Sequence, residues 1–428
     1  MMSTSTLVRS RSCLGAVAVA LLVMAPAHGA SADGDALSLE SAPADSAGAR
    51  NAPKLFIEGA IGSAQSRVLP GSSDTGRLSL DVSYSGKLGT NWRLVFSDRI
   101  DVIHPTAAPG TDATINSLRE AYASWQPVGG GLSFDFGRIN ARSGPGYGYN
   151  PTDFFRDGSL RVVTTADPFA LRQNRLGTVM LRAQRLWEGG SVSFAHAPKL
   201  ESRPSADGWS ADLGSTNNRA RSLFTLSTKI SEGINSQVLL YKDAGLSPTI
   251  GANASALLSD AAVAHVEWTR GREPDLLSRT FGGPANLATR NRFVGGVTYT
   301  TLGKTSITAE YQYNGFALSQ SRWAALATTP GAQFLYLGES LRRLELAPRQ
   351  ALLMYVSQRS LWLKDLDLAA YVRFNLEDSS KLAWVELRHH WSNFDLTLQW
   401  QQNIGRPSTE FGLLPDRRVV QVLGTYYF

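Results

Sequence analysis

Apolar and polar residues alternate along most of the chain from residue 53 onward. Trp92, Leu94 and Phe96 share one parity, as do Leu132, Phe134 and Phe136. Ile307, Ala309, Tyr311 and Tyr313 are set against Ser306, Thr308, Glu310, Gln312 and Asn314. Leu366, Leu368, Ala370, Val372 and Phe374 oppose Asp367, Tyr371 and Arg373, and Leu396, Leu398 and Trp400 oppose Thr397, Gln399 and Gln401. Side chains of a strand point alternately to its two faces, so each such segment predicts a strand with one apolar and one polar environment. Many separate strands of about ten residues predict an all-β chain closed into a transmembrane antiparallel barrel, apolar outside and polar within.

The connections also alternate. Short turns are predicted at 88–91, 127–130, 187–190, 231–235, 302–304 and 392–393, and longer polar loops near 64–76, 102–114, 140–173, 199–218, 244–258, 315–348 and 404–416. Short turns on the periplasmic side and long loops outside are the habit of such barrels. Seventeen strands are clear. With both termini periplasmic the number is even, which requires a weak strand around Asp275–Phe281 and gives about eighteen strands, with sixteen as the alternative. The loop 315–348 has room for a short helix within Ser319–Leu344.

The N-terminus reads as an export signal. Arg9 and Arg11 precede an apolar run from Leu14 to Met24, followed by small residues up to Ala30. Eleven apolar residues are too few to span a bilayer, which takes roughly 20 in a helix. A signal peptide over 1–29 is expected, cut after Ala27 or Gly29, then a disordered periplasmic tail over 30–52 rich in Ser, Ala, Asp and Gly. The only cysteine, Cys13, lies in the signal, so the mature chain has neither disulfides nor thiolate metal sites. The net charge of +6 falls to +4 without Arg9 and Arg11, too mild to argue for nucleic acid. No internal linker divides residues 53–428, so they form a single barrel domain.

The chain ends in Val-Leu-Gly-Thr-Tyr-Tyr-Phe428. Val420, Val422, Gly424, Tyr426 and Phe428 share a parity without charge and so can face lipid. The ending resembles the C-terminal signal of Gram-negative outer-membrane barrels, a final Phe with Tyr two residues before. This resemblance implies recognition of Tyr426 and Phe428 by the barrel assembly machinery. Trp92, Trp268, Trp384, Trp391, Trp400, Tyr426 and Phe428 are expected to form aromatic girdles at the membrane interfaces.

The most distinctive internal segment is Gly137-Arg-Ile-Asn-Ala-Arg-Ser-Gly-Pro-Gly-Tyr-Gly-Tyr-Asn-Pro-Thr-Asp-Phe-Phe-Arg156. Its glycines, prolines and aromatics favour a compact turn system. Leu118-Arg-Glu-Ala-Tyr122, Gly137-Arg138 and Asn150-Pro-Thr-Asp153 together resemble a family of largely uncharacterised Gram-negative outer-membrane proteins, and Glu310-Tyr-Gln-Tyr-Asn-Gly315 fits it too. Where that family often carries Trp-Gly before the loop, this chain has Ser143-Gly144. The resemblance implies an outer-membrane location and a porin-like transport role with no particular solute. The expected surroundings are outer-membrane lipid and lipopolysaccharide.

Residues 138–185 hold eight arginines against three aspartates. Folded into the lumen, Arg138, Arg142, Arg156, Arg161, Arg172 and Arg175 would make a basic constriction favouring anions. The other use open to them is structural pairing, or contact with lipopolysaccharide phosphates outside. Asn150, Pro151, Thr152 and Asp153 are expected to shape the loop. The function read from the sequence is therefore passive or substrate-selective diffusion of small solutes, anionic ones where the basic constriction forms; the alternative is a non-conducting barrel serving export or assembly. An outer-membrane enzyme is the weakest reading, for the chain has no Gly-x-Ser-x-Gly or His-Glu-x-x-His motif, and His389 and His390 are adjacent and point to opposite faces of a strand. No catalytic residue, metal or cofactor is expected.

Overall fold

A computed structural model describes residues 53–68, 71–105, 113–282 and 286–428. The signal peptide and tail expected over 1–29 and 30–52 lie outside the described residues. The strands are β1 (Lys54–Ser66), β2 (Ser72–Leu88), β3 (Trp92–His104), β4 (Thr114–Asn116), β5 (Glu120–Trp125), β6 (Leu132–Ile139), β7 (Thr178–Trp187), β8 (Gly190–Ala197), β9 (Arg221–Ser231) and β10 (Ile234–Asp243). They continue as β11 (Thr249–Ser259), β12 (Ala262–Pro274), β13 (Leu287–Thr300), β14 (Thr305–Asn314), β15 (Gln350–Gln358), β16 (Leu366–Asn375), β17 (Lys381–His390), β18 (Phe394–Ile404) and β19 (Asp416–Tyr427). β4 and β5 both pair with β3 and are two parts of one interrupted strand. Every neighbour in sequence pairs antiparallel, and β19 pairs with β1, with Gly59 opposite Gly424 and Phe56 opposite Tyr427. The result is a closed barrel of eighteen spanning strands without a free edge, which satisfies the backbone all round.

The wall is inverted relative to a soluble protein. Leu94, Phe96, Phe134, Phe136, Leu396, Leu398 and Val422 are exposed on the outside, whereas Asp81, Asp101, Asp135, Glu310, Gln312 and Asn314 are buried within. Such an apolar outer band, with charges inside, is stable only where the outer solvent is itself apolar. The connections are asymmetric as well. The eight turns on the side of the termini are short, three residues from β2 to β3 and two from β7 to β8. The opposite end carries the long segments 140–177, 198–220 and 315–349, and the six helices of the described residues: α1 (Pro168–Gln173), α2 (Leu213–Thr216), α3 (Leu276–Phe281), α4 (Gln320–Leu326), α5 (Ala332–Arg342) and α6 (Glu410–Leu413).

Three expectations are corrected. The weak strand sought at Asp275–Phe281 is helix α3, started by the Asp275 side chain accepting from the Ser278 amide and closed by Gly282 in the left-handed region. The strand needed for even parity is instead β11, inside the segment 244–258 read as loop. Its inward residues Gly251, Asn253 and Ser255 and its outward Ala252, Ala254 and Ala256 are all small, and alanine is only weakly apolar, so the period is faint. Lastly, Trp384 is no girdle residue. It is 2 % exposed and faces the lumen, packed in a tilted arrangement against Tyr371 at a ring distance of 5.6 Å. The lumen contains apolar surface as well as charge, and that is where Trp384 packs. Trp92, Trp391, Tyr426 and Phe428 are exposed, Tyr426 and Phe428 edge-on to each other at 4.9 Å.

Candidate functional site

The segment 140–177 between β6 and β7 folds into the lumen, and two glycines let it in. Gly137, near the loop end of β6, sits at φ +130°, and a Cβ there would lie 2.3 Å from the Ala121 carbonyl oxygen. Gly144, at φ +87°, lies against the inward carboxylate of Glu267 on β12, where a Cβ would meet it at 2.3 Å. Both positions demand glycine for its conformation and for the close approach.

Glu267 is fully buried and is the principal anchor. It accepts hydrogen bonds from the Gly146 amide at 2.7 Å, from Asn150 Nδ2 at 3.0 Å, and from the amide and hydroxyl of Thr152 at 3.0 and 2.7 Å. Asn253 on β11 donates to the same hydroxyl at 3.0 Å. Glu310 on β14 is the second anchor, taking the Tyr147 and Gly148 amides, the latter at 2.9 Å, while its other approach is occupied by His265 Nε2 at 2.9 Å. The third is Glu345, in the segment between β14 and β15. It accepts from the Tyr149 hydroxyl at 2.6 Å and from Arg156 at 2.7 Å, and pairs with Arg292 at 3.2 Å. Burial opposes its charge, but Arg156 and Arg292 hold its pKa below the usual carboxylate value. Hydrogen bonds to an ionised group contribute about 1.5–3 kcal/mol each, so the three carboxylates offset a substantial part of the entropy lost in ordering the segment.

The residues singled out in the sequence fall into distinct environments. Asn150 donates to the Gly146 carbonyl at 2.6 Å as well as to Glu267, Pro151 gives its carbonyl to Arg156, and Asp153 pairs with Arg175 at 2.8 Å and Arg172 at 3.6 Å. Arg138 donates to the carbonyls of Gly177 and Ala211, and Arg161 to those of Asn116, Ser210 and Asp207. Arg156 reaches Glu345 and the Asn150 and Asp153 carbonyls. Arg172 caps the Ser143 and Gly144 carbonyls, at 2.6 and 3.0 Å. Arg142 is different: among the described residues it has no hydrogen-bond or ion-pair partner, and its Nε is buried without one. The anchors Glu267, Glu310 and Glu345 are the residues that sequence reasoning missed. For Glu267 and Glu310 the available signal was an acid at an inward strand position, facing a Gly-rich segment that has amides to spare; Glu345 lies off the strands and carried no such signal.

Two cavities flank the loop. The inner one, about 1200 Å³, opens among the short turns and is lined by Arg93, Glu120, Arg142, Ser143 and Arg182. The outer one, about 630 Å³, is lined by Tyr147, Arg156, Arg172, Arg175, Arg373 and Trp384. Asp153 lines both. Arg138 and Arg161 line neither.

No protein-family model and no curated protein matches this chain. Among solved structures, OccAB1 of Acinetobacter baumannii is similar over 88% of this chain and 96% of its own, with a TM-score of 0.55 and 10% identity. The fold is that of a porin-type β-barrel. A triple mutant of the Rhodopseudomonas blastica porin also aligns, over 88% of this chain and 99% of its own, with 10% identity and a TM-score of 0.43.

Proposed function

We propose that this porin-type barrel is an outer-membrane channel for passive diffusion of small solutes, with the inward loop as its selectivity element. The observation that carries the reading is the pair of cavities, about 630 and 1200 Å³, that share Asp153. A plugged assembly scaffold has no need of cavities on both sides of one ordered loop. In this reading the termini and short turns face the periplasm and the long segments face outward. Glu267, Asn150, Pro151, Thr152 and Asp153 give the loop its shape.

The arginines then divide. Arg138 and Arg161 are structural. Arg156 and Arg175 are spent on Glu345 and Asp153. The cationic character of the narrow zone rests on Arg142, assisted by Arg172, so the anion preference is mild. Tyr426 and Phe428 serve recognition by the assembly machinery, and the apolar belt meets outer-membrane lipid and lipopolysaccharide.

Planar-bilayer current under a salt gradient tests the channel. Conduction with a modest anion preference is expected, and Arg142→Gln moves the reversal potential toward zero. Cation selectivity in the unaltered protein removes the arginine part of the reading. Absence of both conductance and liposome solute uptake removes the channel itself and leaves export or assembly.

A further inference from the structure

The outer cavity is chemically two-sided. On β18 and β19 it presents the amides of Gln399, Gln401, Asn403 and Gln421. On β15–β17 it presents Leu353, Tyr371 and Trp384, joined by Tyr147 of the loop. Its outer mouth carries Phe334, Leu337 and Leu341, which recur on one face of α5. Phe334 and Leu341 stay about half exposed, at 54 % and 49 %. Apolar surface that lines a concavity without protein covering it is suited to an apolar ligand.

Arg373 sits at the edge of the aromatic wall. On β16 and β17, Tyr371 opposes Trp384, and the next inward rung pairs Arg373 with Leu382. Several lumenal arginines, unlike Arg373 and Arg142, are neutralised in place: Arg119 by Asp81 at 2.6 Å, Arg182 by Asp135 at 2.7 Å, Arg99 by Asp101 at 3.0 Å. Arg373 has no hydrogen bond or ion pair among the described residues, and its Nε is buried. Glu410 of α6 is the acid that acts on it, yet it is held by Asn375 at 2.8 Å and pushed up to about 7 by burial. Near neutral pH its charge is therefore only partial, and Arg373 retains unanswered donors beside an aromatic surface.

We propose that the outer cavity binds small amphiphilic anions, the apolar body against Tyr371 and Trp384 and the anionic head on Arg373. The α5 face at the mouth gives such a solute its first apolar contact. The inference rests on the channel reading only for the solute's transit; the binding itself does not need conduction. A fully polar anion of similar size satisfies Arg373 but leaves the aromatic wall wet, and a neutral aromatic does the reverse.

The test is calorimetry on the full chain in lipid nanodiscs, blanked against empty discs, with three probes: 2-naphthalenesulfonate, its neutral sulfonamide, and gluconate. The sulfonate is expected to bind, the sulfonamide more weakly, and gluconate not measurably. Arg373→Gln lowers sulfonate affinity by about tenfold and leaves the sulfonamide within about twofold. Arg373→Lys, which keeps the charge and so guards against a folding artefact, restores most of the binding. Gluconate binding as tightly as the sulfonate, or equal sulfonate affinity in wild type and Arg373→Gln, overturns the proposal. Binding by a protein that passes no bilayer current sinks the channel reading and leaves this site standing; current without sulfonate binding does the opposite.

Discussion

The barrel wall and the loop inside it are held by opposite kinds of order. The wall repeats one contact many times: each strand pairs with its neighbour in sequence, and alternate residues meet the same two environments. The loop is held by a few contacts that never repeat. Glu267 reaches Thr152 across 115 residues, and Glu345 reaches Arg156 across 189. A wall built by repetition tolerates the loss of any one rung. A loop built on three carboxylates depends on each. Stability and selectivity are thus separable in this molecule, because the groups that close the barrel are not those that shape its interior.

The sharpest way to break this comparison is Glu267→Leu. It removes the acceptor of four loop hydrogen bonds and leaves their donors buried, a local cost of roughly 3–6 kcal/mol. Hydrogen exchange over 143–156 is expected to rise steeply while the β-type circular dichroism stays unchanged; loss of the barrel spectrum would show wall and loop to be one cooperative unit. The converse attack is Ala254→Arg on the outward face of β11. A charge there costs about 2–4 kcal/mol near the bilayer midplane, to be read from refolding yield into lipid, with loop exchange untouched in the molecules that do fold. An equal yield would mean that β11 does not face lipid.

The outer loops add a pH-dependent element. Glu410 is raised to about 7 by burial, so the folded state prefers its proton. Its docking is strongest below the ordinary carboxylate pKa of about 4.5, weakens as pH climbs toward 7, and is constant above that, a span of roughly 3 kcal/mol. Exchange of α6 amides, corrected for intrinsic rates, is expected to increase over that window in wild type and to stay flat in Glu410→Gln. The smallest effect expected is that of Asn150→Ala, which takes one of four donors from Glu267 and loosens the loop by about 1–2 kcal/mol. A change as large as that of Glu267→Leu would transfer the anchoring role from the carboxylate to the amide.

These differences follow what the sequence made legible. Period-two alternation is local, so Leu132–Phe136 and Leu396–Trp400 announced their faces without any knowledge of the fold. β11 escaped because Gly251, Asn253, Ala252 and Ala254 carry too little contrast, and Asp275–Phe281 misled because seven residues suit either a strand or a capped helical turn. Asn150-Pro-Thr-Asp153 drew notice through its turn chemistry, but its partner Glu267 is a single acid in another strand, and no spacing rule links them. The use of the arginines stayed open in the sequence for a related reason. A sequence shows their charge, yet the backbone carbonyls that Arg138, Arg161 and Arg172 satisfy exist only once the loop is folded.

The most direct test of the central claim, that the anchored loop controls an open path, is the single-channel conductance of Glu267→Leu beside wild type in the same bilayer. The account predicts a larger conductance and a reversal potential nearer zero once the loop leaves its seat. An unchanged conductance and reversal potential would contradict it.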